Sequence, residues 1–183
     1  MYKLGRFTDG DWREHSHPPV FEIETREGGS PRVVATVPGG DPLIFLALAS
    51  QISPPFYLLY VLHTPRGEGE PGRYQSEAMS RAEIAAFVER FRALLTTDAR
   101  FDLWLHSPSD NATIVWDRHD MIHGYGPVDR MATALGTLGF SEEPPSIPSP
   151  HEHHYHPEND AAAGALLKDQ QWIRSPLRPE DEQ

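Results

Sequence analysis

Apolar positions recur along this chain at two spacings, one fitting strands and one fitting helices. Phe21-Glu22-Ile23-Glu24-Thr25 alternates apolar and charged residues, the pattern of a half-buried strand. Glu27-Gly28-Gly29-Ser30-Pro31 is turn chemistry, and Arg32 to Val37 reads as the partner strand of a hairpin. Asp41 is placed to cap a helix that begins at Pro42. Leu43 to Gln51, rich in Leu and Ala, then reads as a short buried helix, with a buried strand as the competing reading. Phe56 to His63 is continuously apolar and aromatic, as in a central strand covered on both faces.

Thr64 to Met79 is polar and rich in glycine and reads as a loop. Ser80-Arg81-Ala82-Glu83 is a capping box, and Ile84, Phe87, Val88, Phe91, Leu94 and Leu95 follow at helical spacing. Phe101 to Leu105 predicts a strand. Ala112 to Trp116 and Met121 to Tyr125 predict a hairpin around Asp117-Arg118-His119-Asp120. Gly126-Pro127 opens a last helix carrying Val128, Met131, Leu135 and Leu138 on one side, with Gly139 placed as a left-handed cap. The order β-β-α-β-α-β-β-β-α predicts one α+β domain with a mixed, mostly antiparallel sheet and about three helices.

Composition alters this picture at the C-terminal end. The chain has 183 residues and a formal charge of −11. Residues 141–183 hold 3 bases against 9 acids, more than half of that excess in under a quarter of the length. They open with Ser141-Glu142-Glu143-Pro144-Pro145, and prolines recur to Pro150, a composition that favours extended conformations. The expectation is a compact domain over 1–140, a Pro/His-rich linker over 141–158 and an arm over 159–183. Asn159 or Asp160 would cap a short helix there, running from Ala161 to Ile173 with Ala162, Leu166 and Ile173 on one face. Such a helix is marginal alone in water and must dock on the body, on a second copy or on a partner.

Charge and residue usage exclude several functions. A net charge of −11 disfavours binding to nucleic-acid backbone or anionic lipid. The absence of cysteine removes disulfide frameworks, zinc ribbons, iron–sulfur clusters and thiol catalysis. Met1 to Arg6 runs into Asp9, Asp11 and Trp12 without the apolar stretch of a signal peptide, and Pro54-Pro55 interrupts the longest apolar region. Arg outnumbers Lys 14 to 2, a usage that goes with a GC-rich bacterial genome. A bacterial cytoplasmic protein is the expectation.

Three constellations could carry chemistry. Leu62-His63-Thr64-Pro65 and Leu105-His106-Ser107-Pro108 repeat one pattern after two aromatic-rich strands. If those strands were parallel neighbours, His63 and His106 would meet at one sheet edge, where a divalent metal such as zinc or a proton-transfer site could form. Equally, each motif could simply end its strand. The second group is Asp117, His119, Asp120 and His123, where Asp117 and His119 lie on one side of an extended chain; ordinary hairpin-turn chemistry is the plainer reading. The third is His151-Glu152-His153-His154-Tyr155-His156, followed by Glu158 and Asp160, a tract suited to adventitious capture of nickel, copper or zinc. His15-Ser16-His17 reads as linker. No phosphate loop, dinucleotide fingerprint, nucleophile elbow or His-Glu-x-x-His helix occurs.

Two functions follow from these features. One is a non-catalytic protein-binding module, such as an immunity-type inhibitor or adaptor, which needs no cofactor. It would bind a basic partner or self-associate through the C-terminal arm. The other is a small metal-dependent hydrolase using His63 and His106, assisted by Asp117 or His119.

Overall fold

The first hairpin is one that hydrophobic alternation does not announce. In the computed structural model, which describes residues 1–25 and 28–181, β1 (Leu4–Thr8) and β2 (Asp11–His15) pair antiparallel around Asp9-Gly10. Both turn residues have positive φ, 54° and 82°. A two-residue type I′ hairpin requires this, and Asp-Gly supplies it. Next, β3 (Val20–Glu24) and β4 (Arg32–Thr36) form the expected hairpin; Glu27 of its turn lies outside the described residues.

Residues Pro42–Ala49 are helical (α1), which settles the helix-or-strand alternative: Asp41 accepts from Leu43 N at 3.0 Å, and Ile44, Phe45 and Leu48 are buried. β5 (Phe56–Leu62) follows. The loop expected over Thr64–Met79 is a loop only in its first half, because the eight residues Gly72–Met79 form a strand, β6. Its inward face is partly polar, which hid it. The ladder between β5 and β6 shifts register between Tyr57 and Leu59, and Ser76 Oγ accepts from Leu58 N at 2.9 Å. Ser76 thus serves a buried amide at an irregularity of the ladder.

The capping box at Ser80 is formed as expected and starts α2 (Arg81–Arg90). The stripe expected as one helix divides at Phe91, whose φ and ψ of −105° and 16° leave helical geometry, and α3 (Arg92–Thr97) follows. Phe91, Leu94 and Leu95 are all buried across this break. β7 (Phe101–Ser107), β8 (Ala112–Trp116), β9 (Met121–Tyr125) and α4 (Val128–Thr137) complete the predicted body. Gly139 takes φ 86°, and Phe140 N donates to Leu135 O at 3.1 Å, closing α4 with the expected left-handed cap.

The fold is α+β, with a nine-stranded mixed sheet and a separate three-stranded one. Among the described residues there are five α-helices, against about three expected in the body and one in the arm, and the division at Phe91 supplies the extra one. In the large sheet the central order is β3-β4-β9-β8-β7-β5-β6, antiparallel throughout. Alternate residues such as Leu58, Tyr60, Leu103, Leu105, Ile114 and Trp116 point into one core that also takes buried residues from every helix. The opposite face is uncovered by helices. It carries Tyr57, Leu59, Trp104, His106, Thr113, Val115 and His123 along the walls of two cavities.

The C-terminal quarter, read as a linker and an arm, lies on this body, so docking on the body is the one of the three alternatives for its helix that is seen. β10 (Ser141–Glu142) adds to β3 in parallel, β11 (His151–His153) pairs with β1, and β12 (Ile173–Ser175) pairs with β6. Between the last two, α5 (Asp160–Asp169) buries Ala163 and Leu166. The apolar face differs from the expected one: the helix stops at Asp169, so Ile173 is in a strand and exposed. Arg100, fully buried, donates to Asp98, Glu68 and Asp160 at 2.8, 2.9 and 3.0 Å. One guanidinium therefore gathers carboxylates from its own strand approach, the 64–71 loop and α5, which sets where the tail sits. No helix among the described residues is long and apolar enough to cross a membrane.

Candidate metal centre

The turn from β8 to β9 is built to hold one histidine still. Asp117 Oδ1 accepts from the backbone N–H groups of His119 and Met121 at 2.9 and 3.0 Å. Asp120 takes φ 54°, and its carboxylate receives Trp116 Nε1 and the buried Lys3 ammonium, each at 3.0 Å. His17 Nε2 donates to His119 O at 2.8 Å. His119 is thereby fixed from both sides of the turn.

Asp117 Oδ2 stands 3.6 Å from His119 Nδ1 and 3.5 Å from His123 Nε2. Burial alone would raise this carboxyl, but the two imidazoles outweigh it and hold the group well below the usual carboxylate range. Oδ2 faces Nδ1 across 3.6 Å, and an ionised carboxylate there favours the His119 tautomer with its proton on Nδ1, which leaves Nε2 able to ligate. This arrangement of carboxylate behind imidazole is the usual support of a metal-bound histidine.

Two further histidines face His119 from β11. His151 and His153 are two apart in a strand and so project to the same side. Their rings lie 5.3 Å apart, and 5.2 and 4.8 Å from the His119 ring, centroid to centroid. One ring nitrogen from each of His119, His151 and His153 lies within 4.8 Å of the others. His151 Nδ1 donates to Pro148 O at 2.9 Å, leaving Nε2 with a free lone pair. His153 Nε2 is buried without a hydrogen-bond partner among the described residues. Burial, followed by His119, Arg118 and His151, lowers the His153 pKa to about 3, so the ring is neutral and able to ligate near pH 7. Three nitrogens on one zinc at ~2.1 Å stand about 3.4 Å apart, so small ring rotations suffice to close the set.

The structure thus joins halves of two candidate groups that the sequence keeps apart. Asp117 and His119 come from the hairpin, and His151 and His153 from the tract. His154 and His156 face away: His154 binds Tyr2 O at 3.0 Å and Glu152 at 3.2 Å, and His156 approaches Tyr2 O. The tract is an ordered strand at its start, which is why its members differ in role. His15 and His17, read as linker, back the turn; burial, then His17 and Arg6, lowers His15 to about 4.

The repeated Leu-His motifs do not meet. β5 and β7 are antiparallel, with Leu62 opposite Phe101 and Tyr57 opposite His106, so the condition under which the two histidines would meet, parallel neighbouring strands, is not fulfilled. His63 and His106 therefore end opposite edges of the strand pair, about 20 Å apart at ~3.3 Å per residue, too far to share one ion. His63 is bonded to Asp102 at 2.9 Å, and His106 to Thr113 at 3.0 Å.

Beside the imidazole set, a cavity of about 380 Å³ opens on the uncovered sheet face. Asp117, His119 and His123 stand in its wall with Trp104, Tyr125 and Arg32. No family model, curated protein or solved structure matches the chain.

Proposed function

We propose that the protein is a metal-dependent hydrolase whose centre is His119, His151 and His153, oriented by Asp117. The observation that carries this is the convergence of three imidazoles, one of which, His119, is backed by the half-buried Asp117 carboxylate and stands in the wall of a cavity. Three protein ligands leave a tetrahedral zinc one position for water, the arrangement of catalytic centres, whereas structural zinc sites are closed by four. A metal held there would supply an activated water near neutral pH. The chain's own part is to fix the ligand tautomers through Asp117 and Pro148 O and to shape the adjoining cavity.

Hydrolysis of nitrophenyl esters, phosphoesters and amino-acid anilides tests the reading. Metal-stripped protein should be inactive on the responsive substrate and recover in proportion to added zinc, and His119→Ala should abolish that recovery. Turnover that survives stripping and the substitution contradicts the reading, as does no turnover of any of these classes by zinc-loaded protein.

A different observation favours the non-catalytic, partner-binding alternative. The β1–β2 hairpin presents Phe7 and Trp12, packed edge-on at 5.4 Å, at 46% and 41% exposure, and Asp9, Asp11 and Glu14 are close by in the chain. An exposed aromatic anchor suits a protein partner, and because Arg6 and Arg13 offset the acids of the hairpin, the preference for a basic one rests on the chain's net charge of −11. Cross-linking in the native host separates the two: a Phe7→Ser/Trp12→Ser variant should lose a partner that the wild type holds, and an unchanged set of cross-links contradicts this second reading.

A further inference from the structure

The uncovered sheet face holds a second cavity, also of about 380 Å³, lined by Tyr57, Leu59, Gln75 and His106 among others. The two cavities meet at Trp104 and Thr113, which stand in the walls of both. At that meeting point Arg73 lies over the Trp104 ring, 5.2 Å from guanidinium carbon to centroid. Arg73 is paired with Asp181, whose side chain is completely buried.

Asp181 arrives there because the chain turns back after β12. Having paired with β6 as far as Ser175, it returns over the open face, and Glu180 and Asp181 enter the wall of the first cavity. Arg178 N donates to the second Asp181 oxygen at 2.7 Å. Donors meet where this carboxylate sits: Arg73 holds it, Arg73 and Trp104 also line the second cavity together with Gln75 and His106, and the buried Trp104 Nε1 has no partner among the described residues. A site of that kind is complementary to an anion. In this structure the chain's own carboxylate fills it.

We propose that Arg73 and Trp104 form the recognition point of one extended groove for carboxylate-bearing ligands, and that Asp181 occupies it as an internal mimic. A planar guanidinium stacked on an indole presents a fixed fork to a carboxylate, so the ligand group is defined by geometry as well as by charge. Displacement of residues 176–181 would join the two cavities into a channel leading from Arg73 to His119. The inference rests on the hydrolase reading only in making such ligands its substrates; the binding site stands without it.

Binding of two probes to zinc-treated full-length protein, by calorimetry and tryptophan fluorescence, tests the proposal. One probe is a synthetic peptide of residues 176–183 and the other is glutarate. Asp181→Asn should bind a probe at least roughly tenfold more tightly than wild type, because the internal competitor is weakened. Arg73→Gln combined with Asp181→Asn should abolish that binding and leave zinc stoichiometry unchanged. A chain ending at Ser175, its fold checked by circular dichroism, should behave as Asp181→Asn does. Binding of the peptide alone identifies a peptide ligand, and binding of glutarate identifies a free carboxylate. The proposal is overturned if Asp181→Asn binds neither probe at 10 mM, a ceiling of about 3 kcal/mol of binding energy, or if the double variant binds as well as the single one. Loss of zinc binding alone would overturn the hydrolase reading and leave the groove.

Discussion

Replacing Asp117 by Asn leaves the shape of the hairpin turn almost untouched and changes one proton. The Asn carbonyl can take the place of Oδ1 and still accept from His119 N and Met121 N, now 2.9 and 3.0 Å away. Its amide replaces Oδ2, which faces His119 Nδ1 at 3.6 Å and His123 Nε2 at 3.5 Å. An amide N–H in that place donates, so His119 is pushed to the tautomer with its proton on Nε2, the nitrogen that would ligate. Loss of such a supporting carboxylate typically weakens metal binding 10- to 100-fold, about 1.4 to 2.7 kcal/mol. Competition against a chromophoric chelator at pH 7.5 reads that change, with circular dichroism reporting the fold. Wild-type zinc affinity in a folded Asp117→Asn protein would refute the assignment of Asp117 as the support of His119.

Three further outcomes follow from the packing and the titration of the histidines. Leu166→Ala should cost about 2–5 kcal/mol in urea unfolding, since the side chain is fully buried in the core, and no cost would mean that α5 does not dock. Ser76→Ala leaves the buried Leu58 N–H without its side-chain acceptor and should lower stability by about 1–3 kcal/mol, seen as a lower urea midpoint with unchanged slope. In chelator-treated protein, His15 and His153 have folded pKa values lowered to about 4 and about 3, so the unfolded chain binds more protons than the folded one below about pH 6.5. Stability should therefore fall as pH drops from about 6.5 towards 4, and His15→Gln should flatten part of that slope; a slope identical to wild type contradicts the burial of His15.

Elements specified by neighbouring residues were legible in the chain. The Ser80-Glu83 box, the Asp41-Pro42 start of α1 and the Gly139 stop of α4 each satisfy a local backbone need with local side chains, and all three form. Among the strands that sequence reading missed, β6 mixes polar with apolar residues on its buried side, with Tyr74, Ser76 and Met79. β6 turns Ser76 to a buried amide, and β2 is exposed along most of its length, so neither shows clean alternation. Asp9-Gly10 was the available signal for the first hairpin. The reading of the tail as an arm followed its prolines and charges, but pairing with β1 and β6 and the ion pairs of Arg100 are long-range and leave no periodic trace.

The candidate centre shows the same division. His119 with Asp117, and His151 with His153, were each visible as groups, because their spacings are local. That they form one group depends on β11 pairing with β1 beside the β8–β9 turn, which no spacing expresses. The echo between His63 and His106 left the choice between a shared site and two strand ends open for a related reason: a strand, a loop, a helix and a strand fit either orientation, and here β6 reverses the chain before α2 begins.

Titration of metal-stripped protein with cobalt(II), followed by visible absorption, tests the central claim most directly. One tetrahedral-type site per chain is expected, lost in each of His119→Ala, His151→Ala and His153→Ala and kept in His154→Ala and His156→Ala. Absence of such a spectrum in the wild type, or a spectrum that survives His119→Ala but depends on His154 and His156, would contradict it.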